Sequence, residues 1–485
     1  MNTNGLMYNQ CINSMAPKPY IPHQRFWTKL LDRRLVNLAQ PGRLFLLLAL
    51  PFGIIFIYLS APFQAPDEHH HFYRAYSIST GHLTGLQVTM PQSVYDFSQT
   101  VSKDLPGNDQ NKQSKRSLLN EFFRPFEEQP EIEVSIINSA IVSPFPYLPQ
   151  SLGIFIGRLL HLIPILIFYQ GRIANFLVWL GLTFLAIHVT PVHKRLFAAL
   201  AIMPMTLHQA ASNSPDAATI AISFLFFAFF LRLLLNQRNK IRWLDWAIIG
   251  VLTIAMALCK SIYVLSTGLL LLIPIRRFHS QRAALPLALS VIGLGLATGL
   301  IWLQYSSNIV SVEMMNTFRT PTTDGLFFIL KNPLTAAPIL WRSVLTYTGL
   351  ELRSFVGILG WMDTVLPIWV YPLYYALLLF TVILEPLSSV YLFIRERLYT
   401  GILAVGASLV IMSIFFYPEV TVGNGVIDLV QGRYSIPFGM LYLLPLSQRK
   451  WSLSQDSPAW VVVGLLHLLV LVVSVRAMLW RYYAI

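Results

Sequence analysis

Leu44-Phe45-Leu46-Leu47-Leu48-Ala49-Leu50-Pro51-Phe52-Gly53-Ile54-Ile55-Phe56-Ile57-Tyr58-Leu59-Ser60-Ala61-Pro62-Phe63 runs without a single charge. A helix of that length crosses the ~30 Å hydrocarbon core of a bilayer. Such uninterrupted apolar runs lack the alternation of a strand, so helices rather than a barrel are expected to span the membrane. Directly behind the run stands Ala65-Pro66-Asp67-Glu68-His69-His70-His71-Phe72-Tyr73-Arg74. So dense a polar cluster at a helix mouth carries a desolvation cost, which makes function its default reading.

The rest of the chain agrees. Of 485 residues, 55% are hydrophobic and 12% charged, against about 25% charged in a soluble domain. The net charge of +13 lies in short basic clusters between apolar runs: Arg33-Arg34, Lys194-Arg195, Arg238 to Arg242, Arg276-Arg277, Arg395 to Arg397 and Arg449-Lys450. This is the positive-inside pattern of cytoplasmic loops, and no nucleic-acid partner is expected. The 43 residues ahead of the first span are polar and basic rather than a short leader, so that span is expected to stay as an anchor. Cys11 and Cys259 fall in the tail and within a span, which implies no disulfide framework.

Taking the basic clusters as cytoplasmic gives one path. Residues 1–43 form an inner basic tail, and 44–63 the first span. Residues 64–167 form a long extracytoplasmic loop with short interfacial helices, and 168–303 a transmembrane bundle. Residues 304–366 form a second extracytoplasmic segment, and 367–485 the last spans. Within the first loop, an apolar helix opened by Ser143-Pro144-Phe145-Pro146-Tyr147 reaches about His161 and dips into the outer leaflet. In the second segment, Leu334 to Leu350 reads as an amphipathic helix on the membrane. The expected fold is an all-α polytopic bundle of about eleven transmembrane helices. Asp67, Glu68, Asp216, Arg319, Asp363, Asp428 and Arg433 fall on its outer face with the long loops, where function concentrates.

Each polar constellation has a plain reading beside the functional one. Pro66-Asp67-Glu68 suits a helix start and its dipole. A helix beginning there stacks His71 one turn from Asp67 and Arg74 one turn from His70, and carboxylate plus imidazole on one face can share a proton or a metal. Asn213-Ser214-Pro215-Asp216 is either an ordinary helix start or a second acidic position at the depth of Asp67. Arg433, in Gln431-Gly432-Arg433-Tyr434, either snorkels to headgroups or holds a phosphate. Lys260, between two apolar runs, either snorkels or needs an anionic partner. Asp363, in Gly360-Trp361-Met362-Asp363, is read first as a helix cap and second as a site contact. No Walker loop, dinucleotide fingerprint, zinc-protease motif or nucleophile elbow is present.

Taken together, these pieces form an ordered series. Pro66-Asp67-Glu68 with His71-Phe72-Tyr73-Arg74-Ala75-Tyr76 resembles the opening motif of the DUF2142 family of bacterial membrane proteins. Tyr147-Leu148-Pro149-Gln150 with Gly157-Arg158, then Pro204-Met205 through Gln209-Ala210-Ala211-Ser212 to Asp216-Ala217, are similar to its next blocks. Gly360-Trp361 with Asp363, and Gly432-Arg433-Tyr434 with Pro437, are similar to its later ones. That family in turn resembles the GT-C superfamily of polyprenyl-phosphate-sugar-dependent glycosyltransferases.

The resemblance implies an inverting enzyme of the bacterial plasma membrane. Its partners would be a polyprenyl-phosphate-linked sugar, a glycan or lipid acceptor, and membrane lipids. Asp67, with Glu68 as its neighbour, would be catalytic, and His71, Arg74, Asp216, Lys260, Asp363, Arg433 and Tyr434 would bind substrate. Asp67, His71 and Asp216 would hold a divalent metal, Mg or Mn, if the reaction uses one. The competing readings are a lipid-linked glycan polymerase and a non-catalytic flippase or transporter. Most spans lack charge and no inverted pair of broken helices is visible, which weakens the latter.

Overall fold

The computed structural model describes residues 33–483 apart from 109, 237–239, 310–323, 387, 389–390, 428–429 and 449. The basic tail ahead of residue 33, Cys11, Arg238, Arg319, Asp428 and Arg449 lie outside the described residues. The fold is all-α. In chain order its main helices are α1 (Pro41–Leu59), α2 (Glu68–Ser79), α3 (Leu148–Leu159), α4 (Pro164–Val189), α5 (Lys194–Ala201) and α6 (Pro204–Ala210). They continue with α7 (Asp216–Leu235), α8 (Trp243–Cys259), α9 (Ala284–Ile309), α10 (Pro333–Gly357), α11 (Val370–Ile383), α12 (Ile394–Ile414) and α13 (Ala459–Tyr483). Two 3-10 helices matter to the site, Ser261–Leu272 and Gly432–Phe438.

Among the described residues, six helices are long and apolar enough to cross a membrane: α1, α4, α7, the helix ending at Ile309, α12 and α13. Trp243–Cys259, Ser261–Leu272 and Val370–Ile383 are shorter apolar helices. Two runs expected as single traverses are broken, and proline is the reason. Leu196 to Ala211 divides into α5 and α6, with Pro204 as the first residue of α6. Pro437 to Leu446 is a 3-10 turn, a short helix Gly439–Leu443 and another 3-10 turn holding Pro445. Proline donates no N–H and its ring clashes with the preceding turn, so it starts helices and does not continue them.

The first connection, residues 60–163, is ordered over most of its length. Strand β1 (Gln87–Pro91) pairs antiparallel with β2 (Glu131–Ser135), from Gln87 opposite Ser135 to Pro91 opposite Glu131. Helix α3 packs on α4 and α2 with one face and leaves Leu148, Leu152, Phe155, Ile156 and Leu159 exposed on the other. Twelve residues rise about 18 Å, too short for a crossing and suited to lying in one leaflet. Helix α10 likewise exposes Leu334, Trp341, Leu345 and Leu352 while its inner side packs on Gly432–Phe438. The expected amphipathic helix is thus present, and it runs on to Gly357.

The bundle has two distinct ends. At one end Arg195 donates to the Gln455 carbonyl, Arg397 to that of Pro445 and Lys240 to that of Arg276. At the other, Arg481 of α13 donates to the Leu105, Asn108 and Asn111 carbonyls, and Trp361 to that of Phe63. Helix α7 is the central post, buried almost all round, as a helix apolar on every side must be. Its first residue, Asp216, therefore stands at the middle of the loop-rich end.

Candidate functional site

The helix expected to open at Pro66 opens at Glu68, and Asp67 occupies the N-cap position in a left-handed conformation (φ 61°, ψ 16°). Few residues other than glycine adopt it, and aspartate is among those that tolerate it best. The Asp67 carboxylate makes no cap hydrogen bond. The left-handed residue instead turns it off the helix, where Oδ2 lies 3.3 Å from Arg433 Nη2. Non-glycine residues held this way cluster at functional sites.

Four charges from four segments meet here. Lys260 Nζ donates to Asp216 Oδ1 at 2.7 Å, and Arg433 Nη1 lies 3.7 Å from Asp216 Oδ2. Lys260 is the extended residue (φ −156°) between α8 and the 3-10 helix Ser261–Leu272, the bend expected there. Tyr434 lies against both cations, its ring centroid 4.8 Å from Lys260 Nζ and 5.0 Å from Arg433 Cζ. Its hydroxyl accepts from Arg433 at 3.1 Å. Gly432 makes this possible, since a Cβ there would run into the backbone of Glu351 and Phe355 in α10.

The chain thus brings Asp67, Asp216, Lys260, Arg433 and Tyr434 together at the loop-rich end. Arg433 and Asp216 are buried, whereas the Asp67 side chain is 47% exposed, so within this cluster Asp67 is the group open to a ligand. Burial pulls the Asp67 carboxyl upward, but Arg433, then His71 and His70, hold it below its ordinary value. It is ionised at neutral pH.

Glu68 does not join this cluster, which corrects the expectation that it shares the chemistry of Asp67. Its side chain is fully buried against that of Arg172, equally buried. Arg172 Nε and Nη2 grip the two carboxylate oxygens at 2.8 and 2.7 Å, and the Asn213 backbone N–H adds a bond at 2.9 Å. Arg172 also donates to the carbonyls of Ile57, Ser60 and Ala61 at the end of α1. With its oxygens engaged and no solvent access, Glu68 is a strut joining α1, α2, α4 and the 212–216 turn. Burial pushes its carboxyl up, and Arg172 outweighs that, holding it low. Asn175 secures the same turn by donating to the Ser212 and Ser214 carbonyls.

Asp363 is likewise drawn elsewhere. It neither caps a helix nor faces the cluster. Arg481 grips its Oδ2 from Nη2 at 2.6 Å and Nε at 3.0 Å, with Tyr482 and Thr364 on Oδ1. The tight turn between β3 (Ile358–Leu359) and β4 (Thr364–Val365) carries Gly360 at φ 63°, a conformation glycine adopts without cost.

The three histidines fan out to separate partners: His69 to Ser102, His70 to Asn138 and His71 to the Tyr147 hydroxyl. Burial outweighs the attraction of Asp67 and brings His71 down to about 4, so it is neutral at pH 7. Among the described residues no three His, Cys, Asp or Glu side chains are grouped to hold a metal ion. Asp67 and Asp216 face Arg433 and Lys260, and His71 faces Tyr147, so those three do not converge as a donor set. Arg74 is fully buried one turn beyond His71, with Nη2 on the Leu83 carbonyl at 2.8 Å.

The sequence reading missed Arg172 and Arg481. Arg172 carried a signal, since a charge inside an apolar run is costly and calls for a partner. Arg481, near the end of the last apolar helix, looks like an ordinary basic flank.

The chain belongs to the DUF2142 family, described as a predicted membrane protein family, whose pattern it matches over residues 50–442. No curated protein and no solved structure matches it.

Proposed function

We propose that this DUF2142 protein is a GT-C-like inverting glycosyltransferase of a bacterial plasma membrane. It would move a sugar from a polyprenyl-phosphate carrier to a lipid-linked or cell-envelope glycan acceptor on the extracytoplasmic face. The observation that carries the reading is an open carboxylate, Asp67, 3.3 Å from the buried Arg433, within a cluster that also holds Asp216 and Lys260. Basic clusters at the opposite end support a cytoplasmic assignment for that end. A path of about eleven crossings, in which α5–α6 and Gly432–Leu446 count as broken traverses, puts the charge cluster and the first connection on one face. A lipid carrier presents its phosphosugar at that depth.

In the proposed reaction the acceptor hydroxyl attacks the anomeric carbon from the side opposite the phosphate. Asp67 accepts the hydroxyl proton. The carbon–oxygen bond to phosphate breaks, and its electron pair leaves with the polyprenyl phosphate, whose added negative charge Arg433 and Lys260 stabilise. At rest the two carboxylates and two cations balance. An arriving phosphate competes with Asp67 for Arg433, and loss of that cation makes Asp67 a stronger base where it is needed. Asp216 holds Lys260 and Arg433 in place, and Tyr434 supports both.

The test uses purified protein and a labelled polyprenyl-phosphate sugar. Product formation that disappears in a folded Asp67→Asn variant supports the transferase. A ladder of growing product points to the polymerase, and carrier movement across vesicles without a new bond to the flippase. Normal transfer by Asp67→Asn overturns the reading.

A further inference from the structure

Arg74 stands apart from the other buried arginines at the loop-rich end. Arg172, Arg433 and Arg481 each face a carboxylate, whereas Arg74, equally buried, forms no ion pair among the described residues. Its Nη2 is tied to the Leu83 carbonyl at 2.8 Å, and Nε and Nη1 have no partner. That leaves about three N–H donors of a permanently charged group without an acceptor. A guanidinium withdrawn from water and left uncompensated is costly to keep. The Leu83 bond ties one end of it to the backbone.

The position relates Arg74 to the reacting cluster. It lies seven residues beyond Asp67 along α2, about 10 Å of helix rise. Between them stands Tyr147, fully buried, its hydroxyl 2.9 Å from His71 Nδ1. Asp67, His71 and Arg74 are spaced four and three residues apart and so share one face of the turn-and-helix segment, with Tyr147 bonded to the middle one. Arg74 thus lies about two turns along the helix face that begins at Asp67.

We propose that Arg74 is a receptor for a second oxyanion on the substrate, a phosphate or carboxylate separate from the phosphate that Arg433 and Lys260 engage. The anion would take the free N–H groups of Arg74, with the Tyr147 hydroxyl beside it. The substrate would then carry two negative groups, as an acidic sugar phosphate or a phosphorylated acceptor does. That it belongs to the substrate rests on the transferase reading; the anion site itself does not.

Binding of inorganic phosphate, methyl glucuronide and, as a neutral control, methyl glucoside is measured by titration on the detergent-purified protein without donor, so that failed transfer does not affect the outcome. One or both anions are expected to saturate on the wild type, and the glucoside not to bind. Since Arg433 and Lys260 would also take phosphate, the titrations are read as separate sites: Arg74→Gln should weaken one of them at least tenfold or remove it, Arg74→Lys less, and Asp67→Asn should leave that site nearly unchanged. Phosphate selectivity identifies a phosphorylated group, and glucuronide selectivity an acidic sugar. Thermal unfolding without ligand separates this from a structural role. A receptor predicts that Arg74→Gln and Arg74→Met melt no lower than wild type, because they remove an uncompensated charge. Lower melting of both, equal anion binding by wild type and Arg74→Gln, or no anion binding by the wild type overturns the proposal. If Arg74→Gln does not fold, Arg74→Met decides: a folded variant with weakened anion binding keeps the receptor, and failure of both variants to fold overturns it.

Discussion

Asp67 and Glu68 are adjacent in sequence, yet they sit in opposite environments. The Glu68 carboxylate is sealed against Arg172, with both oxygens taken and no solvent access. The Asp67 carboxylate is about half exposed and holds one cation at 3.3 Å. The difference arises from one backbone feature. The left-handed turn at Asp67 ends the connection and Glu68 starts the helix, so the two side chains leave in different directions. A saturated buried pair gives the fold its geometry, whereas an under-satisfied exposed one can exchange its partner for a ligand. In lipid, helices gain little from burying apolar surface against one another, so such polar struts carry much of the arrangement.

The comparison is broken most forcefully at Arg172. Arg172→Met leaves Glu68 buried and unpaired, which costs about 3–5 kcal/mol. Little folded, monodisperse protein should survive in detergent, and Glu68→Met added to it should restore most of the loss. If Arg172→Met instead melts like wild type, Glu68 is no strut. Next comes Asp67→Asn, expected to melt near the wild type while transfer falls about 100-fold or more. Together these two variants separate stability from activity across neighbouring residues.

Lys260→Met frees Asp216 and, in the proposed reaction, would remove one cation from the leaving phosphate. A charged hydrogen bond of about 1.5–3 kcal/mol corresponds to roughly ten- to a hundredfold in transfer rate. Asp363→Asn probes a strut outside the cluster. Its melting temperature should fall by the equivalent of about 1–3 kcal/mol with transfer nearly unchanged, and a rate loss larger than the stability loss would return Asp363 to the site.

The smallest effects are in pH dependence. Arg433 keeps Asp67 ionised below its ordinary value, so the acid limb of kcat/KM should lie low in wild type. It should move to higher pH in Arg433→Gln, where burial is no longer offset. The sign for stability follows: Asp67 pairing is intact above the ordinary carboxylate value and is lost as pH falls through the depressed one. His71, held neutral down to about 4, favours the folded state above its ordinary 6.5 and withdraws that preference as pH drops below it. His71→Gln should therefore melt with a shallower dependence between pH 6.5 and 4.

Much of the fold is legible because apolar length and proline position are local properties. The long spans, the break at Lys260, the short α3 and the amphipathic α10 all follow from such patterns. Of the site, Asp67, Asp216, Lys260 and Arg433 were legible as charges at costly depths. Their roles as partners were not, because pairing depends on which helix ends meet. The same limit hid Arg172, whose signal was present without its partner, and left unseen that Glu68 and Asp363 pair with arginines away from the cluster.

By itself, then, the sequence determined that the chain is a helical membrane protein, where its long apolar runs lie, and that charges beside them need compensation. Those follow from hydrophobic run length, from proline's missing donor and from the cost of burying charge, all of which act along the chain. Only the tertiary structure decided that Glu68 is sealed by Arg172 while Asp67 stays open before Arg433. That choice depends on a single left-handed residue and on contacts between segments more than 100 residues apart.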